Sequence, residues 1–427
     1  MKVRFIEIGS IEEAASEMER IGVDPAGIAL MAPKQFHYNL KLDRLTPAQA
    51  NIIKQDMLSI GGEAAVSKGV AACEVAHTGC ILSATLKQFA RLAEKLCRQP
   101  YGLAGIAGAI NEAIGNLTSG RLTFKGRTRQ WDLSGRVLVM GILNVTPDSF
   151  YDGGRFFDRE RAVERALKMA GEGADVIDVG GESTRPGSKG VGSDEELRRV
   201  IPVVEELAKR GIAVSVDTTK AVIAEEALKN GAEIINDISA MTLDASMAEV
   251  VSKYGSGVIL MHMRGTPADM RGHASYGDLM GEIFDYLAGR LAYARKTGIE
   301  MDKTAIDPGI GFAKSAGDNL KIIKRVREFK TLGRPIVLGA SRKSFIGAAL
   351  GAAPEQRLGA TIAAESLGVF NGARILRAHD VKEARSAADM ISAITAGALP
   401  STTAVVQPAS PVNQPASPEE ERGKGRV

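Results

Sequence analysis

From Arg136 onward the chain repeats one pattern: a short run apolar at almost every position, then a longer stretch with apolar residues three and four apart. The runs are VLVMGIL, ADVIDVG, IAVSVD, AEIINDI, SGVILMH, TAIDPG, PIVLGA and ARILRA. Stretches between them, such as RAVERALKMAGEG, DEELRRVIPVVEELAKRG and KAVIAEEALKNG, carry helical spacing, and several close on a glycine. Strands that are apolar throughout need cover on both faces, which predicts a parallel sheet. Eight strand–helix units over residues 136–394 predict an α/β fold closed as a (β/α)8 TIM barrel, with an open doubly wound sheet as the rival.

Upstream the pattern is different. Residues 1–116 read as a small α/β or α+β domain. MKVRFIEIG alternates like a strand, and Ser10 is placed to cap the helix in IEEAASEMERIG. Thr46 and Pro47 open a second helix through NIIKQDMLSIG, and further strand and helix material follows in ILSATLKQFARLAEKL and LAGIAGAINEAIGN. Residues 117–135 suit a linker and a short hairpin carrying Trp131, placed as a plug over the barrel floor. Beyond Ile394, residues 395–427 contain QPASP twice and few large apolar residues, the composition of a disordered tail.

Composition narrows the classes. Lys+Arg 54 against Asp+Glu 51 gives a net charge of +3, no bulk case for nucleic acid, so anion binding must arise from local placement. No run approaches the roughly 18 apolar residues of a membrane span, and MKVRFIEIGSIEEAA does not read as a signal peptide. The three cysteines, Cys73, Cys80 and Cys97, then read as reduced thiols of a cytoplasmic protein. CEVAHTGC brings Cys73, His77 and Cys80 near one another, but the spacing matches no metal-ligand pattern and lacks a fourth ligand, so small buried thiols are expected.

A polar residue ends or follows nearly every barrel strand: Asn144, Asp178, Asp217, Asn236, His262, Asp307, Ser341 with Lys343, and Arg377 with His379. One such residue is ordinarily a strand-end or capping group; a set in register must converge on one cleft at the C-terminal ends of the strands. Asp217, Asn236 and Asp307 suit a flat heterocycle bearing donors and acceptors. Lys343, Arg377 and His379 suit a phosphate or pyrophosphate. VTPDSFYDGGRF and GGESTRPGSKGVGS are long enough to be loops that close over a site.

The segments MGILNVTPDSFYDGG, DVIDVGGESTRPGS, SVDTTK, IINDISA, LMHMRGTP, IDPGIGFAK, LGASRKSFIG and ILRAHDV resemble, in order, the signatures of the dihydropteroate synthases across residues 136–392. The resemblance implies condensation of 6-hydroxymethyl-7,8-dihydropterin pyrophosphate with p-aminobenzoate, giving dihydropteroate and pyrophosphate for folate synthesis. It implies Mg²⁺ on the pyrophosphate, held in part by Asn144. It implies a pterin gripped by Asp217, Asn236, Asp307 and Lys343, with Asp178 on the pterin side. It further implies pyrophosphate on Arg377 and His379, and p-aminobenzoate among Phe150, Thr184, Arg185, Pro186 and Ser341, with Phe312 also among the substrate-binding residues. Family members pair through their barrels, so a homodimer is expected.

The departures are small. Ile310 stands where a second aromatic often flanks the DPG turn, while Phe312 keeps its place, and Tyr151 replaces a common small residue. The alternatives are a pterin-dependent methyltransferase and a non-catalytic pterin-binding barrel. STRPG, SRKS and RAHD together disfavour the first; the complete set of site residues disfavours the second. The role of residues 1–116 is open.

Overall fold

The computed structural model describes residues 1–146, 155–183, 188 and 190–397. Its N-terminal part runs α1 (Ile11–Arg20), α2 (Pro25–Met31), β1 (His37–Leu45), α3 (Pro47–Ser59), β2 (Glu63–Val66), β3 (Thr78–Thr85), α4 (Leu86–Leu96) and α5 (Leu103–Thr118). The sheet is antiparallel in the order β1-β3-β2, making this small domain α+β. Alternate β3 side chains, Cys80, Leu82 and Ala84, face a core built with Ile53, Met57, Phe89, Leu92 and Leu103 from the helices. The helix starts are locally encoded. Ser10 accepts from the Glu13 amide, and Thr46–Gln49 and Thr85–Gln88 form capping boxes.

Two expectations fail here. MKVRFIEIG is not a strand: Val3 and Phe5 are 92% and 88% exposed and the segment has no ladder partner among the described residues. Alternation makes a two-faced ribbon, but only a neighbouring strand can satisfy its backbone. Nor are the thiols uniformly buried, because Cys73 sits exposed in a turn at φ 56° and Cys97 is exposed past α4. Cys80 alone is buried, and burial pushes its thiol up to about 11, which makes it a poor nucleophile.

β4 (Thr123–Lys125) and β5 (Gln130–Asp132) form the hairpin. Phe124 stacks on Trp131 at 6.0 Å and packs with Leu133 against Leu138, Val176, Ile234, Ile259, Val337 and Ile375 at the lower ends of the barrel strands. The hairpin therefore closes the barrel floor.

The barrel follows as β6 (Leu138–Asn144), α6 (Arg155–Gly171), β7 (Val176–Gly180), α7 (Ser193–Lys209), β8 (Val214–Asp217), α8 (Ala221–Lys229), β9 (Ile234–Asp237), α9 (Met247–Tyr254), β10 (Gly257–Met261), α10 (Leu279–Lys296), β11 (Thr304–Asp307), α11 (Ala316–Arg325), β12 (Val337–Leu338), α12 (Ser344–Leu350), α13 (Leu358–Phe370), β13 (Ile375–Ala378) and α14 (Val381–Ala396). The eight strands are parallel, in the order β11-β10-β9-β8-β7-β6-β13-β12. A bridge between Ile306 and Ile336, with the Ile306 amide donating to Pro335 O, joins the two ends of that order. This is a closed barrel, not an open sheet. Helix α14 ends on Gly397, in the left-handed conformation, two residues past the expected edge of the tail. Residues 398–427 lie outside the described residues.

Candidate active site

Register brings the strand-end residues together. Asn144 pairs in register with Gly180, Gly180 with Asp217, and Asp217 with Asn236, so these positions form one row at the barrel mouth. Asp178, one pleat below on the same face as Gly180, is wholly buried.

Arg377, on the last strand, is the hub of this row. Its Nε donates to Asp178 Oδ2 at 2.6 Å and its Nη2 to Asp217 Oδ2 at 2.8 Å. Asn236 Nδ2 adds a third bond, to Asp178 Oδ2 at 3.0 Å. One guanidinium cannot neutralise two buried carboxylates. Burial accordingly pushes Asp217 up to about 7, with Arg377 opposing and Asp178 adding to the rise. Burial alone would lower Arg377, and the two aspartates more than reverse that. The second oxygens, Asp178 Oδ1 and Asp217 Oδ1, are buried without a partner among the described residues. Two unpaired acceptors in a buried pocket are places for a ligand's N–H groups. The expected cationic cluster is thus divided: Arg377 faces the carboxylates rather than standing free for an anion.

Asp307 closes the other side. Its Oδ1 accepts from the Gly309 amide at 2.7 Å, which shapes the Asp307–Pro308–Gly309 turn. Gly309 has φ +72°, and a Cβ there would lie 2.0 Å from His262 O, so only glycine fits. Lys343 Nζ donates to Ile310 O and sits 4.7 Å from the centre of the Phe312 ring. Burial draws Lys343 down to about 8, with Asp307 opposing. Ile310 is itself buried, and what it offers at the mouth is its carbonyl.

Ser341 Oγ lies 3.1 Å from His379 Nδ1 and accepts from the His379 amide at 3.2 Å. Burial, aided by Arg377, lowers His379 to about 4, so the imidazole is neutral at pH 7. Asn144 Oδ1 and the Asp217 side chain flank Gly180. No group of three His, Cys, Asp or Glu among the described residues is set to hold a metal. Asn144 offers one amide oxygen, a donor set that suits Mg²⁺ carried mainly by phosphate and water. Phe150, Tyr151, Thr184, Arg185 and Pro186 lie outside the described residues.

His262 belongs to a different network from Asp217 and Asn236. It is buried, edge-on to Tyr286 at 4.9 Å, with Lys314 Nζ 3.0 Å from its Nδ1. Lys314 also donates to His262 O and Phe312 O, and burial draws it down to about 7. Lys314 ends the segment IDPGIGFAK, where the sequence alone gives no sign of its burial. Lys220, the last residue of SVDTTK, is likewise a site residue that only the fold reveals. It pairs with Glu182 and the buried Glu196 and donates to Val191 O, so it pins both described ends of the β7–α7 loop.

The family model "Pterin binding enzyme" matches residues 140–379. A probable bifunctional folylpolyglutamate synthase/dihydropteroate synthase of Halobacterium salinarum is 39% identical over 393 residues, covering 92% of this chain and 47% of that protein. The chain spans about half the length of that relative, and an alignment of this extent reaches beyond the barrel into the N-terminal domain. The dihydropteroate synthase of Bacillus subtilis is 44% identical over 260 residues, 61% of this chain and 89% of that enzyme. Among solved structures, Xanthomonas albilineans dihydropteroate synthase with 4-aminobenzoic acid aligns at TM-score 0.61 and 41% identity, over 65% of this chain and 99% of that one. On the family model and the near-full-length match to a synthase, the chain belongs to the dihydropteroate synthases within the pterin-binding enzymes.

Proposed function

We propose that this chain joins 6-hydroxymethyl-7,8-dihydropterin pyrophosphate to p-aminobenzoate, releasing pyrophosphate. The observation that carries the reading is the pair Asp178 and Asp217, buried on Arg377 with one unpaired oxygen each. A pterin's donor-rich edge matches those oxygens, and Asn236, Asp307 and Lys343 complete the grip. In the reaction the C–O bond from the pterin methylene to pyrophosphate breaks, its electron pair leaving with pyrophosphate. The arylamine nitrogen then bonds to that carbon and loses a proton to solvent. Arg377 and His379 would bind the leaving group, which requires Arg377 to share its charge between the aspartates and the anion. His379 donates best when protonated, and a dianion beside it raises its pKa from the low value of the free site. Mg²⁺ held in part by Asn144 would neutralise charge developing on the leaving pyrophosphate. Phe150, Thr184, Arg185 and Pro186, with Ser341 and Phe312, would surround p-aminobenzoate. No covalent intermediate is required; positioning and electrostatics supply the rate.

The test is to supply both substrates with Mg²⁺ and follow dihydropteroate and pyrophosphate. Product that needs the metal and vanishes in Lys343→Ala supports the reading. Pterin binding without product would favour a binding barrel. A second copy of this chain is the proposed partner. Helix α13 is apolar nearly all round and leaves Leu367 and Phe370 exposed, and Leu350, which ends α12, is exposed as well. Sedimentation of the full chain as a monomer at micromolar concentration would exclude that partner.

A further inference from the structure

The floor of the barrel holds a second polar site that the chemistry at the mouth does not use. Where α5 and the hairpin meet the lower ends of β11, β12 and β13 there is a cleft of about 670 Å³. Five cations line it, Arg121, Lys125, Lys330, Arg334 and Arg374, against a single carboxylate, Asp302. Lys125 takes that carboxylate at 2.6 Å. Lys330 and Arg334 form no ion pair among the described residues, and Arg374 spends one nitrogen on the carbonyls of Val369 and Ala373. Like charges crowded into a half-buried cleft repel one another. Burial lowers Lys330, Arg334 and Arg374, and Arg327 with Arg374 lowers Lys330 further.

The arrangement is built rather than incidental. Asn116, at the end of α5, donates to Thr331 O at 2.9 Å and lies against Gly333, where a Cβ would meet the amide at 2.7 Å. Gly333 has φ +68°, so the turn that carries Lys330 and Arg334 depends on glycine to receive the N-terminal domain. Arg374 and Arg377 stand at opposite ends of β13, about 10 Å apart along the strand. The cleft is therefore a separate site.

We propose that this floor cleft binds a small polyanion, either a phosphate compound or a polycarboxylate, with Lys330, Arg334 and Arg374 as its charged contacts. A concave surface of one sign concentrates counter-charge, and guanidinium forks grip phosphate and carboxylate alike. The volume suits a ligand of nucleotide size or smaller. Formation of the cleft needs both the barrel and α5, so occupancy ties the N-terminal domain to the barrel.

The chain has one tryptophan, Trp131, beside Gln130, which lines the cleft, so its emission reports on this end of the barrel. Titrating inorganic pyrophosphate into the full chain without Mg²⁺ is expected to change that emission saturably. Lys330→Ala/Arg334→Ala is expected to raise the half-saturating concentration at least about tenfold, a loss of about 1.4 kcal/mol. Lys330→Arg, which keeps the charge, is expected to retain the response. A parallel citrate titration separates the two sources: a response to pyrophosphate alone assigns phosphate chemistry, and an equal response to citrate assigns polycarboxylates. A linear, unsaturable change, or the same saturation in the double variant, overturns the proposal. Should the double variant lose its circular-dichroism signal, the single Lys330→Gln variant is read the same way.

Discussion

Arg377 Nε donates to Asp178 Oδ2 at 2.6 Å, tying the last strand of the barrel to the second across its mouth. The aspartate has no exposed surface, and its Oδ2 is shared between this contact and Asn236. Replacing the guanidinium by an apolar group leaves two buried carboxylates without a cation. Arg377→Met is expected to lose roughly 3–5 kcal/mol of stability in urea denaturation at pH 7. A loss under about 1 kcal/mol would mean that water reaches the aspartates.

Asp217 tests the pocket more directly. With Asp217→Ala, one of the two unpaired oxygens disappears and Arg377 keeps only Asp178. Calorimetry with dihydropterin pyrophosphate is expected to show affinity down by about 100-fold or more, about 2.7 kcal/mol. Near-normal affinity in a folded variant would refute the assignment of the pterin to this pocket.

The turn below Lys343 is equally exacting. A methyl group on Gly309 would collide with His262 O, and its φ of +72° is strained for alanine. Gly309→Ala is expected either to unfold near 25 °C or to lose at least about 2 kcal/mol, with pterin binding weakened in parallel because the displaced turn draws the residue 309 amide away from Asp307. Thermal melts and calorimetry would decide, and a neutral variant would show that the turn can rearrange.

Glu365, on α13, gives the chain a pH dependence unrelated to catalysis. Its side chain is buried with both oxygens unpaired among the described residues, and burial, reinforced by Asp380, raises it from its ordinary 4.5 to about 8. The folded protein therefore holds a proton that the unfolded chain releases. Its stabilising share is fully present below about pH 4.5, declines above that, and is lost as pH passes about 8. Glu365→Gln keeps the shape without the charge. It is expected to flatten this decline and raise Tm at pH 9 by at least about 2 °C. Parallel Tm-against-pH curves for the two proteins would show that Glu365 ionises normally.

Much of the barrel was legible because its physics is local. A strand buried on both faces shows itself as an apolar run, and the polar residue that ends it marks the mouth, as Asn144, Asp217 and Asp307 do. The caps at Ser10 and Thr46 and the plugging hairpin at Phe124 and Trp131 were legible for the same reason. What escaped notice depends on contacts across the fold. MKVRFIEIG carries a strand's alternation but has no partner, and β1 was hidden by its charged, exposed face. Arg377 reads as a free cation until Asp178 and Asp217, 199 and 160 residues earlier, are seen beside it. Lys314 and Glu365 look like surface residues on helical or loop segments until packing encloses them.

The ring of strands is not equally strong all the way round. Strand β12 has two residues, and its junction with β11 is the single bridge at Ile306 and Ile336. Mechanically, the barrel is a sheet eight strands wide whose ends are latched rather than zipped. In native-state hydrogen exchange such a latch sets where opening begins, and amides near Ile306 and Val337 should exchange ahead of those of β7 and β8. Arg334 and Lys343 flank this same short strand, one at the floor and one at the mouth. The weakest joint of the cylinder is thus also the shortest path between its two ends.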